Sequence, residues 1–164
     1  MTKTIANLRA AFAGESQANQ KYLAFADQAN KEDLPSIARL FRAVAKAETV
    51  HAHAHLRAMD GIGKTANNLR DAIAGELHEF NNMYPDMIAT AKKEGHKTAE
   101  RSFTIANEVE RVHAALYEKA LANLDTQTEF RYIICSVCGY TSEDHALDKC
   151  PVCSAPSNAF LRVD

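Results

Sequence analysis

Apolar residues recur at alternating three- and four-residue steps along four long stretches of this chain, the spacing that lines one face of an α-helix. The first stretch, residues 4 to about 29, carries Ile5, Leu8, Phe12, Tyr22 and Ala26 on its stripe. The second carries Ile37, Leu40, Val44 and Ala58 and halts at Gly61-Ile62-Gly63. Leu69, Ile73, Phe80, Met83, Met87 and Ala91 mark the third, and Phe103, Ala106, Tyr117, Ala120 and Leu124 the fourth. The punctuation agrees with these limits. Asn30-Lys31-Glu32-Asp33 is a polar break, Asp33 is the expected N-cap, and Pro35 suits a first helical turn. Asn67 or Asn68 is the candidate cap of the third run, and Gly95 its natural C-terminal stop. Four long amphipathic helices predict an all-α four-helix bundle.

Each stripe is interrupted once by a carboxylate where a leucine would otherwise stand: Glu15, Glu48, Glu76 and Glu110. One such residue alone is ordinarily a boundary side chain whose head reaches water. Four of them near the midpoints of four helices converge at one depth of a bundle, where unpaired carboxylates are very costly. Glu48 and Glu110 are each followed three positions later by a histidine, His51 and His113, on the same helical face. Glu79, one turn after Glu76, brings the set to five carboxylates and two imidazoles. A pair of metal ions is the simplest compensation for that charge, and two Glu-x-x-His pairs with a lone Glu on each remaining helix describe a dinuclear site. His53, His78 and Glu108 face away from the stripe. His55 shares the His51 face one turn on and is a candidate supporting residue.

Composition adds a boundary. All four cysteines of the 164-residue chain fall between positions 135 and 153, as Cys135-Ser-Val-Cys138 and, eleven residues later, Cys150-Pro-Val-Cys153. The expected division is therefore a helical domain over 1–126 and a small module over 127–164. Two Cys-x-x-Cys knuckles hold one metal ion tetrahedrally through four thiolates, and their spacing suits zinc and iron alike. Arg131-Tyr132-Ile133-Ile134 reads as a short strand, with Phe130, Tyr132, Tyr140 and Phe160 as the expected core around the metal. A formal net charge of −2 offers no basic face for nucleic acid. No apolar run approaches the roughly 20 residues of a membrane span. A soluble, cytoplasmic protein with reduced cysteines is the expectation.

Taken together, these residues resemble the rubrerythrins over essentially the whole chain. The resemblance rests on Gly14-Glu15 with Tyr22, Ala47-Glu48-Thr-Val-His51, Gly75-Glu76-Leu-His-Glu79 with Met83-Tyr84-Pro85, Glu110-Arg-Val-His113, and the double cysteine knuckle. Glu79 is the most telling, because ferritins and bacterioferritins resemble the site but lack that extra carboxylate. The resemblance implies a ferritin-like bundle followed by a rubredoxin-like module. It also implies a non-haem di-iron peroxidase that reduces hydrogen peroxide to water and protects against oxidative stress. It assigns Glu15, Glu48, His51, Glu76, Glu79, Glu110 and His113 to two irons. Cys135, Cys138, Cys150 and Cys153 fall to a rubredoxin-type iron, where zinc can load in recombinant material. Within the family one iron exchanges a histidine for the extra glutamate on oxidation, here His51 and Glu79. Tyr22 and Tyr84 match tyrosines that hydrogen-bond the ligating carboxylates. A separate electron-donor reductase is implied, since no dinucleotide fingerprint is present. Two departures stand out: Ser154 replaces a glycine common after the last cysteine of simple rubredoxins, and Ser157 a lysine common in the family.

Loop length adds an expectation about assembly. Ferritin-like bundles run their second and third helices parallel, so the connection must travel along the bundle, here roughly 25–30 Å. Some six to eight residues between Gly61 and Asn68 are at or past the limit of about 3.3–3.6 Å per residue. A homodimer with exchanged helix pairs is the expectation, and an up-down-up-down monomer is the alternative that the loop also satisfies. Two other functions compete with peroxide reduction: a ferroxidase handling iron through the same ligands, and a non-enzymatic helical scaffold with a structural zinc ribbon. Glu79 and the cysteine module argue against the first, and the colour of thiolate-bound ferric iron separates the second.

Overall fold

The computed structural model describes residues 2–126, 129–143 and 147–163. The expected domain limit at 126/127 touches residue 127, which lies outside them. The chain forms two compact units, Met1–Gly63 and Lys64–Asp164.

The first unit is a hairpin of α1 (Lys3–Lys31) and α2 (Pro35–Ala58). Thr2 caps α1 by accepting the Ile5 amide at 3.3 Å. Pro35 opens α2 as expected, but the N-cap is Leu34, and Asp33 instead holds a left-handed turn at φ +55°. With so short a connection, one residue must reverse the chain, and Asp tolerates that conformation better than most. The two helices meet along small residues. Ala26, Ala29 and Ala38 form a buried cluster against Phe41, and Ala45 and Ala52 continue the α2 side of the seam. Asn19 crosses it, donating to the Ala45 carbonyl at 2.7 Å and to Thr49 Oγ1 at 2.8 Å.

The second unit begins with α3 (Thr65–His78), whose N-cap is Lys64. Asn67 and Asn68 therefore lie inside the first turn, and Asn67 Oδ1 accepts from Arg70 rather than capping a backbone amide. What periodicity predicts as one continuous third helix is divided by a π-helical turn, Glu79–Met83, before α4 (Tyr84–Lys93). Pro85 supplies the reason. It has no N–H and its ring crowds the carbonyl four residues back, so the chain widens and the Tyr84 amide reaches the Glu79 carbonyl. Gly95, at φ +72°, reverses the chain where expected. His96 then caps α5 (Lys97–Ala122) by accepting from the Ala99 amide at 3.2 Å. Both α3 and α4 pack on α5, with Ala91, Val109 and Ala114 buried.

Beyond a 3₁₀ turn, Leu124–Thr126, a three-stranded antiparallel sheet is ordered β2 (Thr141–Glu143), β1 (Tyr132–Cys135), β3 (Phe160–Val163). Its core is Cys135, Cys150 and Ala155, surrounded by Cys138, Tyr140, Val152, Cys153, Ala159 and Phe160. Tyr140 and Phe160 stand where expected. Phe130 and Tyr132 do not belong to that core: they pack on each other at 6.4 Å, under the ammonium of Lys119 at 4.8 Å from the Phe130 ring. Lys119 also pairs with Glu143. Those aromatics and that ion pair tie the module to α5. No helix among the described residues is long and apolar enough to cross a membrane.

Candidate metal centres

Three donor clusters emerge among the described residues. In the first unit, one ligand atom each from Glu15, Glu48 and His51 lies within 4.8 Å of the others. The helical spacing does the local work, setting His51 Nδ1 3.0 Å from Glu48 Oε2. His51 is 57% exposed on its side chain, so this trio is open on one side. In the second unit the matching trio is Glu76, Glu110 and His113, again within 4.8 Å, with His113 Nδ1 2.8 Å from Glu110 Oε2. Both Glu-x-x-His pairs therefore form, each joined by the lone Glu of the neighbouring helix.

The Glu76 carboxyl is pushed up to about 7, first by burial, then by its hydrogen bond with Glu110 and by that residue's charge. Two carboxylates sharing one proton are the metal-free substitute for two carboxylates sharing a cation. The donor set thus fits a divalent or trivalent metal. Glu79 stands outside the trio at the start of the π turn. It is near enough for burial and the charge of Glu110 to raise its carboxyl. Tyr84 lies close by. Burial and the charges of Glu79, Glu110 and Glu76 raise its hydroxyl above the ordinary value, so it stays protonated. Tyr22 packs with Phe25 and Phe41 at 6.3 and 6.2 Å, and its hydroxyl makes no hydrogen bond among the described residues. His53 and His78 are exposed, and His55, half-buried, joins no cluster.

The third cluster is Cys135, Cys138, Cys150 and Cys153. Cys135 Sγ lies 3.6 Å from Cys153 Sγ, and Cys138 Sγ lies 3.6 Å from Cys150 Sγ. Tetrahedral thiolates about 2.3 Å from a metal stand about 3.8 Å apart, so these four fit one ion. Burial opposes ionisation at every knuckle. At Cys150 the amides of Cys153 and Val152 overcome it and bring the thiol down to about 7, whereas burial leaves Cys138 and Cys153 raised. The knuckles are closed by Gly139 donating to the Cys135 carbonyl at 2.8 Å and Ser154 to the Cys150 carbonyl at 3.0 Å.

Three residues stand beside this chemistry in places that no local spacing signals. Gly139 and Thr141 contact His113 from 26 and 28 positions away, a proximity no local spacing encodes. Asn107 lies one turn before Glu110, and its buried Oδ1 has no hydrogen-bond partner among the described residues.

Comparison with known proteins places this geometry in context. The family profile described as rubrerythrin matches residues 6–121, and that of the rubrerythrin rubredoxin-like domain matches 134–161. Rubrerythrin-2 of Clostridium acetobutylicum is 35% identical over 93% of this chain and 92% of its own. Nigerythrin of Nitratidesulfovibrio vulgaris is 36% identical over 96% and 85%, respectively. Solved structures of nigerythrin in mixed-valent and fully reduced, all-ferrous states align over 99% of this chain and 88% of theirs, with TM-scores of 0.59 and 0.58 and identities of 33% and 34%. The fold is ferritin-like with a small cysteine-rich module, and the chain carries the donors of a di-iron site and a four-cysteine iron site.

Proposed function

This chain belongs to the rubrerythrin family, and on that premise we propose that it is a peroxidase reducing hydrogen peroxide to water in defence against oxidative stress. The carrying observation is that one chain carries two matched Glu-x-x-His clusters as well as a four-thiolate site. Iron storage needs no thiolate centre. The reaction consumes one peroxide, two protons and two electrons and yields two waters. Glu15, Glu48, His51, Glu76, Glu79, Glu110 and His113 would hold two irons, and Cys135, Cys138, Cys150 and Cys153 a third. Bound iron supplies Lewis acidity and electrons. The protein's own groups supply the rest. The carboxylates would balance the added positive charge of an oxidised pair, with Glu79, beside the trio, as the reserve carboxylate and His51 as the donor it would replace. The protonated Tyr84 hydroxyl, close enough to feel the charges of Glu79, Glu110 and Glu76, would orient those carboxylates, and Tyr22 would serve the other side. Cys135, Cys138, Cys150 and Cys153 would hold an iron able to take electrons singly from a separate reductase. The functional division would run 1–126 for the di-iron domain and 127–164 for the electron-relay module.

Iron-loaded protein given peroxide and an external reductase should consume many peroxides per chain, at two electrons each. Glu110→Ala with His113→Ala should abolish this. Stoichiometric oxidation of Fe(II) by oxygen without peroxide turnover would instead establish the ferroxidase reading. A colourless, zinc-filled native protein would favour the scaffold.

The di-iron site is completed, in this proposal, by a second copy of the chain. The α1–α2 hairpin buries alanines and leaves Phe25, Ile37 and Leu40 exposed at 47%, 44% and 58%, an apolar stripe that a helix normally covers. Alignment of Glu76 with His51 in parallel helices demands about 27 Å of travel from Ala58 to Thr65. The six intervening residues reach about 23–25 Å at full stretch. They are not fully stretched, because Met59, Asp60 and Gly61 fold back to donate to carbonyls of α2. Exchange of helix pairs between two chains removes the conflict. Mixing Glu48→Ala/His51→Ala chains with Glu110→Ala/His113→Ala chains restores one intact site only in an exchanged dimer. Activity regained on co-refolding is expected; its absence in a proven heterodimer excludes exchange.

A further inference from the structure

The imidazole of His113 is held at both ends. Its Nδ1 faces Glu110 at 2.8 Å, and its Nε2 lies 3.1 Å from Thr141 Oγ1 and 3.2 Å from the Gly139 carbonyl oxygen. Thr141 in turn donates its hydroxyl hydrogen to that same carbonyl at 3.0 Å. A carbonyl only accepts, and the threonine hydrogen is already committed, so both neighbours of Nε2 act as acceptors. When a metal takes the Nδ1 lone pair beside Glu110, the ring proton must sit on Nε2, where both acceptors are placed to receive it.

The support is itself rigid. Gly139 takes φ +82°, the left-handed conformation that closes the first cysteine knuckle. Thr141 is fixed in β2 opposite Ile134 of β1. The Cys135 amide completes the frame by donating to the Tyr140 carbonyl at 2.8 Å. Both acceptors belong to the segment that the four cysteines fold around one ion. His51 has no comparable support within its own unit: Glu48 is its single hydrogen-bond partner among the described residues there.

We propose that the first knuckle and β2 form a seat for His113, with Thr141 and the Gly139 carbonyl as positioning groups, so that the folded cysteine module sets the metal affinity of the Glu76–Glu110–His113 trio. This rests on the reading of His113 as a ligand. It adds a coupling between the two metal centres within one chain that is structural as well as electronic.

Cobalt(II) bound to the whole chain tests it. The ring N–H of a cobalt-bound histidine gives a strongly displaced proton resonance, and the one surviving in His51→Ala belongs to His113. In Thr141→Val that proton should exchange with water at least tenfold faster, and cobalt affinity at the trio should fall about tenfold. Thr141→Ser should restore both. The cobalt–thiolate absorption of the four-cysteine site should be unchanged, showing an intact module; if valine disturbs it, Thr141→Ala against Thr141→Ser makes the same comparison. Cys150→Ser, which leaves the module unable to close on metal, should weaken the trio to the same degree. Exchange and affinity in the hydroxyl-free variants within twofold of wild type would overturn the seat, as would a serine variant no better than alanine. The two ideas fail separately. If His113→Ala leaves cobalt binding intact, the ligand reading falls; if it abolishes binding while removal of the hydroxyl has no effect, only the seat falls.

Discussion

Gly139 and Ser154 occupy the same place in successive cysteine knuckles, each in left-handed backbone conformation, at φ +82° and +65°. Each donates its amide to the carbonyl of the knuckle's first cysteine, Cys135 and Cys150. Glycine adopts this conformation without cost, whereas a residue with a Cβ gives up about 1–2 kcal/mol. Ser154→Gly should therefore stabilise the metal-loaded module by about 0.5–1 kcal/mol, once the greater freedom of the unfolded glycine is set against relief of strain. Chemical denaturation followed at the thiolate absorption band measures it. An unchanged or lowered midpoint would mean that the serine side chain contributes something that offsets the strain.

Proton and metal compete for Glu76. Its carboxyl rises from 4.5 to about 7 by burial and by the neighbouring Glu110. The metal-free folded chain thus binds this proton more tightly than the unfolded chain does. The stability it contributes is intact below pH 4.5 and is lost as pH rises through about 7. Metal uptake at the trio follows the opposite course, strengthening over that window as the proton leaves. Urea midpoints of metal-free wild type and Glu76→Gln, compared at pH 5 and 8, isolate the effect. The wild type should lose more stability than the variant on going to pH 8, and equal losses would exclude the shared proton.

Much of this centre could be read from the sequence, and the failures have identifiable causes. Glu15, Glu48, Glu76, Glu110 and both histidines were legible because helical periodicity converts spacing into a shared face. The caps were less so. Asp33 and Asn67 have the right chemistry for capping, but chain reversal and a helix beginning two residues earlier put them elsewhere. Phe130 and Tyr132 read as core of the cysteine module because aromatics usually are, yet Lys119 of α5 draws them to the junction. The π turn escaped because Pro85 looks like a residue that starts a helix, and inside a longer helical run it forces one turn to widen instead. The support of His113 depends on contacts across 26 and 28 residues, which no local pattern records.

That widened turn bears on activity. Glu79 begins it, and Glu79 is the carboxylate left beside the trio rather than within it. Glu79→Gln keeps the shape and removes the charge that the proposed peroxidase mechanism calls on, so on that proposal peroxide turnover should fall at least tenfold with iron content retained. Pro85→Ala should allow the ordinary helical hydrogen bond to form and shift Glu79 relative to Glu76, again lowering turnover. Steady-state peroxide consumption with parallel iron analysis checks both. Full activity in the two variants together would remove Glu79 from the mechanism.

Stripping metal from the cysteines should melt the module while leaving the helices. Its core is little more than Cys135, Cys150 and Ala155, too small to hold some 35 residues without an ion. Amide exchange should become fast over β1, β2 and β3 and stay slow at the buried positions of α5. Retained protection in the strands would show that the Lys119–Phe130–Glu143 junction suffices.

The alanine seam between α1 and α2 has a consequence for chemistry that its inert methyl groups conceal. Helices that touch through small residues, with buried Ala45 and Ala52 on either side of Glu48, come near enough for glutamates on opposite rods to reach a common point. The bite of the Glu15–Glu48 pair is thus dictated by groups that never meet a metal. Enlarging any one of them would wedge the rods apart and unmake the chelate without altering a single donor atom.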